Sequence, residues 1–433
     1  TTSTKQSISD EELISQMSKY FDMEDGGLYG RQKFPPHSAL HYLLTVNQKD
    51  EVNLFVRMTM LLMYMSGLHD HLQGGFYRYC VDSKWTIPHF EKMLYDQSMM
   101  LINYSLASHK FQAEGYKDIV KQLIICIEDT FKTGNMYASA HDADTNHEEG
   151  LTYLWTIEEL QHILSEEEFR SFQTSYKLIP FENKYHLIRN DGEQAGEIER
   201  KLLLARNAKQ QPFKDEKIIT SWNALLGIGY IFAYRYAKTD TLHKAKDMFD
   251  SIIEKHRLPN GLIAHTSFHS HLQSETFLED MASVLLLATY LFEHDLLEKQ
   301  LLDNLYQQTK QFQKEGIWYE SLDTVLGDIP AETHDHPYPS SVSMAEAGTA
   351  RYCILTDKNT AELDYKHVVT YDYYNLAVKW SRYDFPLITS PHYIDAALLP
   401  AGAIQKRGNT YTICKHFSCE EITLKEIEQG KLK

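Results

Sequence analysis

The chain is poor in cysteine, glycine, proline, basic residues and long apolar runs, and each scarcity excludes a class of protein. Five cysteines in 433 residues (Cys80, Cys126, Cys353, Cys414 and Cys419) are too few for a disulfide framework. A reducing cytoplasm is the expected compartment. Cys414 and Cys419, spaced C-x4-C, lack the second pair of a structural zinc site, and no disulfide between them is expected in that compartment. Twenty glycines and twelve prolines exclude a collagenous or low-complexity chain. No run of about 18 consecutive apolar residues occurs, so no transmembrane helix is expected. The opening TTSTKQSISDEEL has neither the basic region nor the apolar stretch of a signal peptide. It also lacks an initiator Met, as a processed or cut chain would. Basic residues are outnumbered, 43 Lys and Arg against 60 Asp and Glu, for a formal charge of −17. They are scattered, and such a field repels phosphate backbones and anionic lipid. Neither nucleic acid nor membrane is an expected partner.

What remains is a globular composition rich in tyrosine, 28 in all, a residue suited to wet, partly apolar pockets. Apolar residues recur at spacings of three and four over 11–21, 38–45, 52–65, 89–108, 116–132, 216–237, 241–256, 276–294, 297–314, 338–355 and 360–382. Between them lie short alternating stretches at 76–81, 151–156, 185–188, 262–268 and 317–320, which read as small hairpins on loops. The pattern predicts an all-α protein with more than half its residues helical. A helix pair with its loop recurs about every 60–75 residues, enough for six pairs in 433 residues. That favours an (α/α)6 toroid of six helical hairpins over an open helical solenoid. Inner helices of such a ring are apolar all round, as 225–233 and 281–291 are. The toroid is expected over 1–407, with a loop insertion at about 138–215 carrying one short helix at 157–164 and a turn at Asn190-Asp191-Gly192. A strand–helix tail is expected over 408–433.

Four constellations could carry chemistry. After Gly74-Gly75-Phe76-Tyr77-Arg78-Tyr79, Pro88 stands where a helix can start. On that helix His89 and Asp96, seven residues apart, would share a face about 10 Å apart with Lys92 between them. Such a stripe is either a self-satisfied ion-pair ladder or a pocket wall in which His89 exchanges protons. The second cluster is His141-Asp142-Ala143-Asp144-Thr145-Asn146-His147-Glu148-Glu149. Its opening is like a calcium loop, but His147 and Tyr153 stand where Gly and Glu are needed. It is a solvated acidic loop or one reaching into a sugar pocket. In the third, Asp215 could N-cap a helix or face the pocket, while Trp222 and Asn223 suit stacking on and hydrogen bonding to a sugar ring. Trp222 could equally be core. In the fourth, Glu275-Thr276-Phe277-Leu278-Glu279-Asp280 opens an inner helix, its acids dipole partners or, as with Asp280, pocket acids. His334-Asp335-His336 before Pro337 reads as a loop. No complete metal, nucleotide or flavin signature is present, so no metal or cofactor is expected.

Gly26-Gly27 with Lys33-Phe34-Pro35, the run Gly74–Tyr79, and Pro88-His89-Phe90-Glu91-Lys92-Met93-Leu94-Tyr95-Asp96 together resemble the spermatogenesis-associated protein 20-like family. So do Asp142-Ala143-Asp144 with Glu149-Gly150, and Asp215 and Lys217 with Thr220-Ser221-Trp222-Asn223. The resemblance runs from about residue 24 to 419. It implies a six-hairpin toroid similar to N-acylglucosamine and cellobiose 2-epimerases, preceded in longer relatives by a thioredoxin-like domain, and this chain is expected to be the toroid part alone. Pro339-Ser340-Ser341-Val342-Ser343 departs from the family's Pro-Ser-Gly-Asn-Ser run. The resemblance implies a carbohydrate substrate and an epimerase or isomerase reaction. His89 would transfer protons, tuned by Asp96 and Lys92, with His141, Asp142 and Asp144 across the cavity and Arg78, Trp222 and Asn223 binding the ring. The alternative enzyme is a glycoside hydrolase pairing Asp142 or Asp144 with Glu91, Asp215 or Asp280. A third reading is a non-catalytic sugar-sensing or partner-binding domain tied to a thioredoxin-like module. His89, Glu91, Asp96, Asp142, Asp144, Asp215, Trp222 and Asn223 are expected to line or directly support one cavity at the mouth of the toroid.

Overall fold

The computed structural model describes residues 9–46, 49–190, 196–269, 271–323, 329–358, 374, 376–416 and 418–432. Most of the helical run expected at 360–382 lies outside the described residues, as do Asp191 and Gly192 of the expected turn. Helix makes up 48% of the chain, just under the half expected.

Helices α1 (Asp10–Ser18), α2 (His37–Thr45), α3 (Asp50–Met65), α4 (Leu94–Phe111) and α5 (Glu114–Cys126) open the chain. An insertion then carries α6 (Ile157–Ile163), α7 (Glu166–Ser175) and α8 (Glu197–Ala208). The ring resumes with α9 (Thr220–Ala237), α10 (Leu242–His256), α11 (Leu278–Glu293), α12 (Lys299–Lys310), α13 (Ser341–Leu355) and α14 (Leu376–Ser381), and α15 (Leu424–Glu428) closes the chain. Helices α2, α4, α9, α11, α13 and α14 pack in series as the inner ring of an (α/α)6 toroid. Their composition explains why. Every residue of α13, and every residue of α4 from Leu94 to His109, is buried, so they have no solvent face to keep polar. Outer helices α3, α5, α10 and α12 bury one stripe each. Close approach within the ring depends on small residues. A Cβ at Gly229 of α9 would lie 3.2 Å from the Ser98 carbonyl oxygen of α4.

Two expected helix starts are wrong in the same way. The helix expected from 89 begins at Leu94, because Pro88–His89 pairs with Tyr79–Cys80 and Lys92–Met93 pairs with Ala140–His141 as short strands. The helix expected from 216 begins at Thr220, because Lys214–Asp215 pairs with Ala140–His141 and Ile218–Ile219 with Thr266–Phe268. Asp215 therefore caps nothing. The first helical amides are satisfied by neighbouring loops, Leu94 N–H by Ser139 and Thr220 N–H by His265, both at 2.9 Å. Tertiary pairing has overridden local helical periodicity. The stretch 151–156 is mostly turn, with Trp155 alone bridging to Tyr185.

The insertion is more ordered than a loop. Its helices and the hairpin Tyr176–Phe181/Lys184–Arg189 enclose a core of Trp155, Leu160, Phe172, Tyr176, Leu187 and Leu202. Thr156 with Glu159, and Ser165 with Glu168, form reciprocal capping boxes that start α6 and α7. Arg206 of α8 docks the insertion on the ring by donating to Asp70 at 2.8 Å.

Near the C-terminus a four-stranded sheet runs in the order Ile404–Arg407, Leu387–Ser390, Thr412–Lys415, Ser418–Glu421, drawing strands from both sides of residue 408. Its last hairpin puts Cys414 directly opposite Cys419, with Cα atoms 4.0 Å apart, and the two form a disulfide. This corrects the expectation of free thiols. A C-x4-C spacing across a tight hairpin makes the cysteines cross-strand partners whatever the rest of the composition says. Among the described residues no helix is long and apolar enough to cross a membrane.

Candidate functional site

Successive inner helices run in the same direction, so their N-termini gather at one mouth of the ring. First turns and lead-in residues there supply Tyr95 from α4, Trp222 from α9, Glu279 and Asp280 from α11, and Tyr338 just before α13. The three aromatic rings touch. Tyr95 lies 4.9 Å from Trp222 and 5.1 Å from Tyr338, and Trp222 lies 6.2 Å from Tyr338. Charged groups flank this platform on two sides.

On one side stands His89. Its Nδ1 is 2.7 Å from Glu149, its Nε2 is 3.8 Å from Glu91, and its ring stacks on Tyr79. Arg78 donates to Glu91 at 2.9 Å, and its charge also acts on Tyr95 and Asp96. Glu149 is held in place by the next residue. Gly150 has φ +71°, and a Cβ there would come within 2.6 Å of the Phe90 ring. Asp96 is fully buried below, 3.1 Å from His37, and its second oxygen has no partner. Burial pushes the Asp96 carboxyl up.

On the other side His265 Nδ1 lies 3.1 Å from both Asp280 oxygens and 3.5 Å from Glu279. The Tyr338 hydroxyl donates to Glu279 at 3.3 Å, and the Ser341 hydroxyl donates to Glu320 at 3.1 Å. Burial, then the charge of Asp280, pushes Glu279 up to about 7. Burial raises Asp280 and Glu320 as well. His265 is also raised: burial pulls it down, but its hydrogen bond to Asp280 and the surrounding carboxylates outweigh that. Ligand atoms of His265, Glu279 and Asp280 lie within 4.8 Å of one another, so a cation could be held there. Asp280, however, already accepts from the Phe277 amide and faces His265 with both oxygens.

Of the residues singled out in the sequence, Arg78, His89, Glu91, Asp96, Trp222 and Asp280 lie at or just beneath this mouth. Others do not. Lys92 is on a strand, not a helix, so it points away from Glu91 and donates to Asp70 at 2.7 Å and to the Gly74 carbonyl at 3.1 Å. Its cross-strand partner His141 is on the same face. It meets the Thr130 carbonyl at 3.1 Å and is pulled down to about 4 by burial and then by the Lys92 charge. Asp142 and Asp144 are exposed, Asp142 accepting from the Asp144 amide. The loop does reach His89, but through Glu149. Asp215 accepts the Lys217 amide and pairs with its ammonium at 3.1 Å.

Asn223 is fully buried and does not face the mouth. It accepts from Tyr137 N–H at 2.8 Å and donates to the Tyr137 and Ile219 carbonyls at 3.0 Å. Asn223→Ala is therefore expected to cost about 2–4 kcal/mol of stability by orphaning buried backbone groups, measurable as a shift of the urea midpoint. A full-stability variant with weakened ligand binding would contradict this. Sequence reasoning missed Tyr95, His265, Glu320 and Tyr338, and it named Glu149 and Glu279 only as members of their clusters. The signals were the acidic pair at the start of an inner helix and the strand just before it.

Solved structures of low sequence identity share this fold. A cellobiose 2-epimerase from Spirochaeta thermophila matches with a TM-score of 0.53 at 12% identity, covering 81% of this chain and 78% of that one. A D-mannose isomerase matches with a TM-score of 0.53 at 10% identity, covering 84% of each chain. These likenesses show the fold, an (α/α)6 toroid. By sequence, the resemblance to spermatogenesis-associated protein 20 is borne out. The human protein of that name is 26% identical over 337 residues, covering 63% of this chain and 42% of its own length. The mouse protein of that name is 33% identical over 168 residues, covering 35% of this chain and 21% of its own length. An uncharacterized protein of Caenorhabditis elegans is 30% identical over 279 residues, covering 52% of this chain and 38% of its own length. The chain spans less than half the length of these curated relatives. No family model matches it.

Proposed function

We propose that the toroid mouth is a carbohydrate site that moves a proton at the carbon next to a carbonyl, as a sugar epimerase or isomerase does. The observation that carries this reading is the pair of titratable clusters, His89–Glu149–Glu91 and Glu279–His265–Asp280, on either side of one aromatic platform. A sugar ring stacks its apolar face on such rings, and its hydroxyls need polar groups at the rim. A carboxyl that titrates at about 7 can both take and return a proton at neutral pH. In the proposed step Glu279, as carboxylate, removes the C2 proton of an open-chain sugar, and the electron pair passes to the carbonyl oxygen as an enediolate. His89, held in one orientation by Glu149, returns a proton to the opposite face of C2. Arg78 steadies the oxygens.

The test is incubation of the chain with a panel of aldoses and reducing disaccharides in deuterium oxide, followed by NMR. Deuterium at C2 of a new epimer, or at C1 of a new ketose, is the expected result. Release of new reducing ends without exchange would assign a glycoside hydrolase. Binding with neither would assign a sugar-sensing domain.

A further inference from the structure

The sheet that carries Lys92 has two sides, and its second side walls a different space. A cavity of about 720 Å3 opens there between the insertion and the ring. Register dictates its lining: His141 pairs directly with Lys92 on one strand and Lys214 on another, so the three stand in a row on one face. Met93, Ala140 and Asp215 form the row on the opposite face. Arg189 and Arg200 approach the cavity from the insertion. Its walls thus carry Lys92, Lys214, Arg189 and Arg200 against two acids, Asp129 and Glu199, in a chain whose net charge is −17.

Two of these cations keep donors that no carboxylate takes up. Lys92 is matched by Asp70, Arg189 by Glu199 at 2.7 Å, and Arg200 by Glu197 at 2.6 Å on the surface. Lys214 donates to the Lys132 carbonyl at 3.1 Å and has no carboxylate within ion-pair distance among the described residues, although the Glu216 charge acts on it. Buried Arg189 keeps an Nε–H without a partner. The local potential also acts on the two histidines of the lining. His71 is pulled down to about 3 and His141 to about 4, in each case by burial first and then by the nearby cations. Polar amides of Gln122 and Asn207 complete the rim.

We propose that this cavity is a second ligand site, separate from the mouth, for a small phosphate monoester with a polar body. A phosphate offers three acceptor oxygens to donors arriving from several directions, as they do here from a sheet and from the insertion. The volume suits a molecule of sugar-phosphate size. A neutral sugar would offer the Lys214 ammonium and the Arg189 Nε–H no anion.

The experiment is calorimetric titration of the full chain at low ionic strength with inorganic phosphate, a hexose 6-phosphate, the neutral hexose and a hexuronic acid. The titrations are repeated on the double variant Lys214→Gln/Arg200→Gln and on Arg78→Gln. All three substituted residues are partly exposed, so folding is preserved, and a thermal melt verifies it. The expected result is binding of the hexose phosphate that weakens about tenfold or more in the double variant and is unchanged in Arg78→Gln. No binding at millimolar phosphate ester, preference for the hexuronic acid, or binding equal in wild type and double variant would overturn the proposal. Loss of binding in Arg78→Gln alone would also overturn it, by moving the anion to the mouth.

Discussion

Asp70→Asn is expected to lower stability by roughly 3–5 kcal/mol, among the largest losses any single substitution in this chain should cause. Asp70 is buried and accepts from Lys92 Nζ at 2.7 Å, Arg206 Nη1 at 2.8 Å, and the Leu72 and Gln73 amides at 3.1 and 3.2 Å. Burial alone would raise its carboxyl, but the Arg206 and Lys92 charges outweigh burial and hold it well below the usual range. Removing the charge leaves two cations buried against the rings of Tyr77 and Tyr153 with no anion between them. The sign with pH follows. A depressed carboxyl contributes stability that is present above its ordinary pKa and lost as pH falls through the folded one. Wild type and variant should therefore converge only in strong acid. Replacing Asp70, Lys92 and Arg206 together by Leu, Met and Met should recover much of the loss, because desolvation of all three ends is then avoided. Urea denaturation at pH 7 measures both effects, and a single-variant loss below about 1 kcal/mol would contradict the account.

Glu279→Gln should act in opposite directions on stability and on turnover. The folded carboxyl, raised to about 7 from an ordinary 4.5, keeps a proton that the unfolded chain has already released. Stability therefore declines as pH rises from about 4.5 through 7, and the full cost is borne above that. Asp280, Glu320, His265 and Tyr338 are the groups that face it. Glutamine cannot ionise, so the variant should gain roughly 2 kcal/mol over wild type at pH 8 and little at pH 5. Under the proposed function the same change removes the base and should lower kcat about 10²–10⁴-fold with a smaller effect on KM. A variant less stable at pH 8 would mean that the carboxylate is held by a structural bond. Unaltered turnover would assign the base elsewhere.

The ring was readable in the sequence because its inner helices are apolar on every face, a pattern that needs no knowledge of neighbours. Motif residues Arg78, His89, Glu91 and Trp222 were readable for a related reason, since polar groups beside buried helices demand a cavity. The strands were not. Pro88–His89, Lys92–Met93 and Lys214–Asp215 are two residues long, and the last two pair with Ala140–His141, about 50 and 75 positions away. Taking them as helix placed Lys92 beside His89 when the pleat sends it to the other side. The insertion's α7 and α8 escaped because their faces bury few residues, Phe172 in one and Ile198, Leu202 and Arg206 in the other. The Ser165–Glu168 box was the available signal. His265 was missed, and Glu279 was passed over for Asp280, because their meaning depends on each other across 14 residues.

The thinness of the wall beside Lys92 has an evolutionary consequence. In strands of two residues, the compartment a side chain enters is decided by parity alone. Substitution preserves parity, so the lining on either side can drift without disturbing the other. A duplication of Lys92 would transpose the two linings. It would set an ammonium beside Arg78 and a carboxylate beside Asp70 in one event. This stretch should therefore tolerate changes of residue type far better than changes of length.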